Sequence, residues 1–154
     1  MKNLFYILLI FFWAIPSGFA QLKTYTFEEA GKLCKENPKP YVVFIQTSWC
    51  KYCKMMVNST FKNSEVINLL NTDFYFISLD AESKTAIRFN NHTFQFKANG
   101  QNTGIHELAT ALATINSQVV YPTVTILDSD FSILFQKHSF LNAKELLVVL
   151  KKIK

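Results

Sequence analysis

Tyr41-Val42-Val43-Phe44-Ile45-Gln46-Thr47-Ser48-Trp49-Cys50-Lys51-Tyr52-Cys53 joins an apolar run to two cysteines that enclose two residues. Tyr41 to Thr47 is expected to form a strand, largely apolar as a central strand covered on both faces must be. If Cys50 then opens a helix, its sulfur meets the orphan amide N–H groups and the positive end of the helix dipole. Both favour thiolate over thiol. Cys53 falls one helical turn further on, close enough to attack a mixed disulfide formed at Cys50 and release the partner. The chemistry implied is thiol–disulfide exchange.

Other uses of two cysteines fit less well. Structural zinc needs four ligands, and Cys34, His92, His106 and His138 supply neither a second Cys-x-x-Cys nor a closely spaced histidine pair. Covalent haem attachment wants histidine directly after the second cysteine, where Lys54 stands. Neither metal nor cofactor is therefore expected. A purely structural disulfide stays open as an alternative, although the loop it would close is short and the entropy gained small.

Upstream, Met1 to Ala20 reads as an export signal. Lys2 supplies the positive start, Leu4 to Ile15 is an apolar run of twelve residues, Pro16 breaks it, and Gly18-Phe19-Ala20 offers a cleavage site before Gln21. Twelve residues fall short of the ~20 that span a bilayer. The expectation is a signal over 1–20, one domain over 21–154, and a periplasmic or extracytoplasmic location without stable membrane insertion. In such a compartment a cysteine pair can persist oxidised.

The formal charge of +5 is spread along the chain, apart from Lys151, Lys152 and Lys154. The aromatic residues sit in apolar runs and do not alternate with basic ones, so nucleic acid is discounted as a partner. The terminal lysines complement the negative end of a last helix.

Element order follows from the pattern. Thr26-Phe27-Glu28-Glu29 has the form of a capping box, and Phe27, Ala30, Leu33 and Cys34 recur at helical spacing until Pro38 and Pro40. Cys34 then lies on the buried face and reads as a core residue. After the cysteines a helix runs through Met55, Met56 and Val57, Asn63-Ser64 caps another carrying Val66, Ile67, Leu69 and Leu70, and Phe74 to Leu79 is a second strand. Together these make a βαβ unit around the cysteines.

Phe89 to Gly104 reads as an inserted hairpin or loop, with Asn99-Gly100 as its turn. From Ile105 a helix is expected through Leu108, Ala109, Leu112 and Ile115, with His106 a solvated or capping residue at its start. His92 and His138 show no partner in sequence. Pro122 belongs at the start of the strand Thr123 to Leu127, because a proline cannot donate to a ladder. A strand Ile133 to Phe135 follows, and Asn142 with Glu145 boxes the start of a last helix whose Leu146, Leu147, Val149, Leu150 and Ile153 face inward.

Trp-Cys-x-x-Cys after a buried strand, then Tyr121-Pro122-Thr123 before another, a hairpin and a closing helix, resembles the thioredoxin fold. More narrowly, Trp49-Cys50-Lys51-Tyr52-Cys53-Lys54-x-Met56, with Thr60-Phe61 and Ser64-Glu65-Val66, is similar to exported thioredoxin-like proteins related to the carboxy-terminal domain of the thiol:disulfide interchange protein DsbD. The resemblance covers Tyr41 to Lys154, interrupted by the insertion. It implies an α/β fold with a central mixed sheet flanked by helices, and the insertion before a cis-proline strand.

The resemblance makes Cys50 the attacking thiol and Cys53 the resolving one. Trp49, Tyr121 and a cis Pro122 would form the surface on which a substrate docks. One departure stands out: thioredoxin carries a buried acid six residues before its first cysteine, and this sequence has Phe44. Lys51 and Tyr52, between the cysteines, are expected to tune the couple. The function expected is an exported oxidoreductase that reduces or exchanges disulfides of other proteins, working as a monomer with protein disulfide or dithiol substrates and a redox partner protein. A thiol oxidase or isomerase on the same scaffold, and a binding module that uses the insertion as its contact surface, are the alternatives.

Overall fold

In a computed structural model that describes residues 21–154, the apolar run becomes strand β1 (Tyr41–Gln46), with Tyr41 to Ile45 all buried. The expected export signal lies outside the described residues. β1 pairs in parallel with β2 (Tyr75–Asp80) and antiparallel with β9 (Thr123–Leu127), while β10 (Ile133–Lys137) borders β9. The sheet is therefore four-stranded and mixed, in the order β10-β9-β1-β2. β1 is interior, which is why it carries no polar alternation.

Side chains of β1 point alternately into two layers. Tyr41, Val43 and Ile45 meet Phe27, Ala30 and Cys34 of helix α1 (Phe27–Glu36) and Leu108, Ala109 and Leu112 of helix α4 (Glu107–Ala113). Val42 and Phe44 face the other way, toward α2 (Lys51–Asn58), α3 (Ser64–Asp73) and α5 (Ala143–Ile153). Each fully buried side chain of this size contributes ~1.5–3 kcal/mol relative to exposure. Both cysteines of the pair belong to this second layer.

The helix starts read from sequence are where the structure has them. Thr26 and Glu29 form a reciprocal capping box, as do Asn142 and Glu145, and the Asn63 side chain accepts from Glu65 N–H and Val66 N–H. Leu33 stays exposed, and in α5 only Leu146 and Leu150 are fully buried. Two of the terminal lysines do more than complement a dipole: Lys151 pairs with Glu65 at 2.6 Å and Lys154 with Asp73 at 2.9 Å, tying α5 to α3.

The insertion departs from expectation in extent and form. It holds two hairpins, β3 (Ile87–Phe89) with β4 (His92–Phe94) and β5 (Phe96–Ala98) with β6 (Gly104–His106). The first turns through Asn90 and Asn91, at φ of 47° and 59°. Asparagine tolerates this left-handed region, so the Asn-Asn pair is a turn signal in its own right. At Asn99 the loop runs on to Thr103, where Asn99 N–H bonds the Thr103 carbonyl at 3.0 Å and the Thr103 hydroxyl bonds Asn99 Oδ1 at 2.8 Å.

A second correction concerns Ile115. Helix α4 stops at Ala113, and β7 (Thr114–Ile115) turns back on β8 (Gln118–Val119) through Asn116 and Ser117, both at positive φ. Two β-branched residues followed by a left-handed turn end the helix, and Ile115 is left exposed. Among the described residues no helix is long and apolar enough to cross a membrane.

Candidate functional site

β1 ends one residue before Thr47, whose carbonyl accepts Cys50 N–H at 3.3 Å and turns the chain into α2. Cys50 is the N-cap of α2, and its Sγ accepts the amide N–H of Cys53 at 3.1 Å. The first turn of the helix carries no acidic side chain. A sulfur held in this way receives a hydrogen bond and the helix dipole, which both stabilise negative charge. The two cysteines are joined as a disulfide, with Cα atoms 5.2 Å apart. Cys50 is 5% exposed and Cys53 not at all, so of the two only Cys50 reaches the surface.

The layer behind the pair is apolar. Phe44 stacks edge-on to Phe61 at 4.9 Å, and Phe61 continues to Phe76. No aspartate or glutamate is buried among the described residues. Two buried hydroxyl oxygens close to this end of the sheet, Thr47 Oγ1 and the Tyr121 phenol, have no hydrogen-bond partner.

Register brings the second sequence motif to the same place. Ile45 pairs with Thr123, so Tyr121 and Pro122 lie just beyond the end of β1. Pro122 is buried and the Tyr121–Pro122 peptide bond is cis. Tyr121 packs against both layers, and its ring meets that of Trp49 edge-on at 5.9 Å. Trp49, Cys50, Cys53, Tyr121 and Pro122 are thus gathered at one end of the sheet. Lys51 and Tyr52 lie on the exposed face of α2.

One residue of this group was missed from sequence. Trp49 is 63% exposed, yet its indole N–H donates to Glu82 Oε1 at 3.1 Å. Glu82 is itself fixed by its backbone N–H, which bonds Asp80 Oδ1 at 3.0 Å. Burial, then Glu82 and Asp80, push the Tyr121 phenol up to about 12, so it stays protonated. Asp80-Ala81-Glu82 reads in sequence only as a turn after a strand. The available signal was topological: a strand parallel to β1 must end beside Cys50.

The remaining candidates lie elsewhere. Cys34 is buried and free in the opposite layer, with its Sγ 3.6 Å from the Lys39 carbonyl. His106 caps α4 as expected but is wholly buried and not solvated: Nδ1 accepts Leu108 N–H and Nε2 faces the Thr85 carbonyl, each at 3.2 Å. His138, without a partner in sequence, sits between Thr123 Oγ1 and Gln136 Oε1, 3.1 Å from each.

A family model described as a thioredoxin-like domain matches residues 27–154. Among solved structures, the oxidoreductase DsbH superposes with a TM-score of 0.62 at 18% identity, over 90% of this chain and 88% of that one. A thioredoxin from Thermus thermophilus gives 0.61 at 19% identity, over 86% and 87%. The oxidised C-terminal domain of DsbD from Neisseria meningitidis gives 0.54 at 21% identity, over 86% and 100%. At these identities the likeness is one of fold. No curated protein matches the chain by sequence.

Proposed function

The chain belongs to the thioredoxin-like family, and on that premise we propose that it is an exported thiol–disulfide oxidoreductase that reduces or exchanges disulfides in other proteins through Cys50 and Cys53. The observation that carries this reading is the disulfide at the N-terminus of α2, with Cys50 Sγ accepting an amide hydrogen bond and Cys53 buried behind it.

In the reducing direction the Cys50 thiolate attacks one sulfur of a substrate disulfide, and the other sulfur leaves as a thiolate that takes up a proton. Cys53, giving up its own proton, then attacks Cys50 Sγ and expels the second substrate sulfur. That sulfur also leaves as a thiolate and is protonated from solvent, which replaces the proton Cys50 released on ionising. Two electrons and two protons have thus been added to the substrate, and the Cys50–Cys53 disulfide remains. Another dithiol protein has to reduce it before the next turnover. Trp49, Tyr121 and Pro122 receive the substrate segment, and the molecule acts as a monomer. The ammonium of Lys51 favours the thiolate and so raises the potential, modestly because it is exposed and screened; Tyr52 lies beside it.

Export and an extracytoplasmic location are part of the proposal, resting on residues 1–20 as a cleaved signal ahead of a domain over 21–154. Exchange with a model protein disulfide tests the chemistry: Cys50→Ser abolishes turnover, and Cys53→Ser accumulates a mixed disulfide at Cys50. Full activity in Cys50→Ser would overturn this reading, and no exchange by the wild-type protein would leave a binding module. The reduction potential tests direction. A value near ~−270 mV fits a reductant, whereas one near ~−120 mV would make the protein an oxidant.

A further inference from the structure

Charge around the cysteine pair is divided. β2 is parallel to β1 with Gln46 beside Asp80, so the carboxylates of Asp80 and Glu82 emerge next to the Thr47–Cys50 turn. Helix α2 follows that turn, and its outward side carries Lys51 and Lys54, three residues apart and exposed. None of these four groups enters an ion pair among the described residues. Trp49, held by Glu82, and Tyr52 and Met55 on α2 are exposed by 63%, 61% and 51%. Apolar side chains this exposed around a reactive sulfur, with unpaired acidic groups at the end of β2 and unpaired basic groups on α2, suit an extended partner.

We propose that this rim is a charge-polarised docking surface for a cysteine-bearing segment of a partner protein, apolar around the cysteine, basic on the flank that meets Asp80 and Glu82, and acidic on the flank that meets Lys51 and Lys54. The inference rests on the thiol–disulfide reading and deepens it by naming the substrate class. Glu82 has two roles, holding the Trp49 indole and presenting charge, and a glutamine there keeps an oxygen for the indole while removing the charge. A segment with its charges in the opposite order sets like against like at both ends.

The test uses the reduced protein and three synthetic peptides whose single cysteine is blocked as a mixed disulfide with 2-mercaptoethanol. One carries arginine before and glutamate after the cysteine, one the reverse, and one glutamine on both sides. The second-order rate constants for reduction are expected to differ by about fivefold between the two charged orders, with the neutral peptide between them. The ratio shrinks toward one in Glu82→Gln, in Lys51→Gln/Lys54→Gln, and at ~1 M salt, where the Debye length is ~3 Å. Equal rates for the two orders in the wild-type protein, or a ratio unchanged in both variants, would overturn the docking proposal while leaving the oxidoreductase reading intact. If the wild-type protein reduces none of the three, both fall.

Discussion

Phe44 keeps the layer behind the cysteines apolar. In the proposed exchange Cys53 loses a proton as it attacks, and no carboxylate is buried among the described residues to receive it. The substrate sulfur that leaves first must take up a proton, and one that stays at the site is an acceptor within reach of Cys53. The rate of substrate reduction is therefore expected to rise with pH through one ionisation, that of the Cys50 thiol, and then stay level. A buried acid coupled to the thiols would add a second apparent ionisation. Stopped-flow reduction of a model disulfide from pH 5 to 9 checks this, and a profile needing two ionisations would contradict it. The substitution itself was legible, because position 44 is fixed by counting back from Cys50. The grip of Glu82 on Trp49 was not, because those residues lie 33 apart and meet only when β2 is laid beside β1.

At the scale of elements, what sequence reveals depends on length. β1 and the helices with boxed starts have enough periodic residues, and side-chain caps local enough, to be read one residue at a time. The three hairpins offer two or three residues per strand, too few to fix their bounds from pattern, and two of their turns use Asn-Asn and Asn-Ser where the third has the more legible Asn99-Gly100. Gly104 makes one of them testable. A Cβ there would strike the Phe96 ring and the Lys97 carbonyl across the β5–β6 pair, so Gly104→Ala is expected to cost about 1–3 kcal/mol of stability by urea unfolding. Exchange activity of the folded variant should persist.

His106 joins that hairpin to α4 and to the Thr85 loop with a neutral ring, accepting at Nδ1 and donating at Nε2. Burial holds it below its ordinary value of 6.5, outweighing the Thr85 carbonyl and the Glu107 carboxylate, which favour the charged form. The unfolded chain then binds the proton more readily than the folded one. The contribution of His106 is complete above pH 6.5 and is lost as pH falls from there through the depressed folded value. His106→Asn keeps an oxygen for the helix cap but loses the Thr85 bond. Its stability should be lower at pH 7 by about 1–2 kcal/mol, with a flatter dependence between pH 6.5 and 5. Thermal melts at several pH values above the carboxylate range decide it, and equal slopes for variant and wild type would exclude the role.

For the molecule as a whole, the potential of the couple and the stability of the fold are one quantity measured in two ways. Oxidising the folded chain must give the same free energy as unfolding the dithiol form, oxidising it unfolded, and refolding the disulfide form. The unfolded step is that of a flexible Cys-x-x-Cys peptide, so the folded couple departs from the peptide's potential by the difference in stability between the two forms, ~30 mV for each ~1.4 kcal/mol. Two features compete in the dithiol form. The N-cap hydrogen bond and helix dipole stabilise a Cys50 thiolate, whereas the apolar layer around Phe44, Phe61 and Met56 disfavours charge and suits the neutral disulfide. The proposed reducing direction predicts that the second prevails, with the disulfide form more stable than the dithiol form. Urea unfolding of both forms, set beside the measured potentials of the protein and of the unfolded chain, tests the sign and whether the cycle closes. A more stable dithiol form would reverse the direction of electron flow and make the same fold an oxidant.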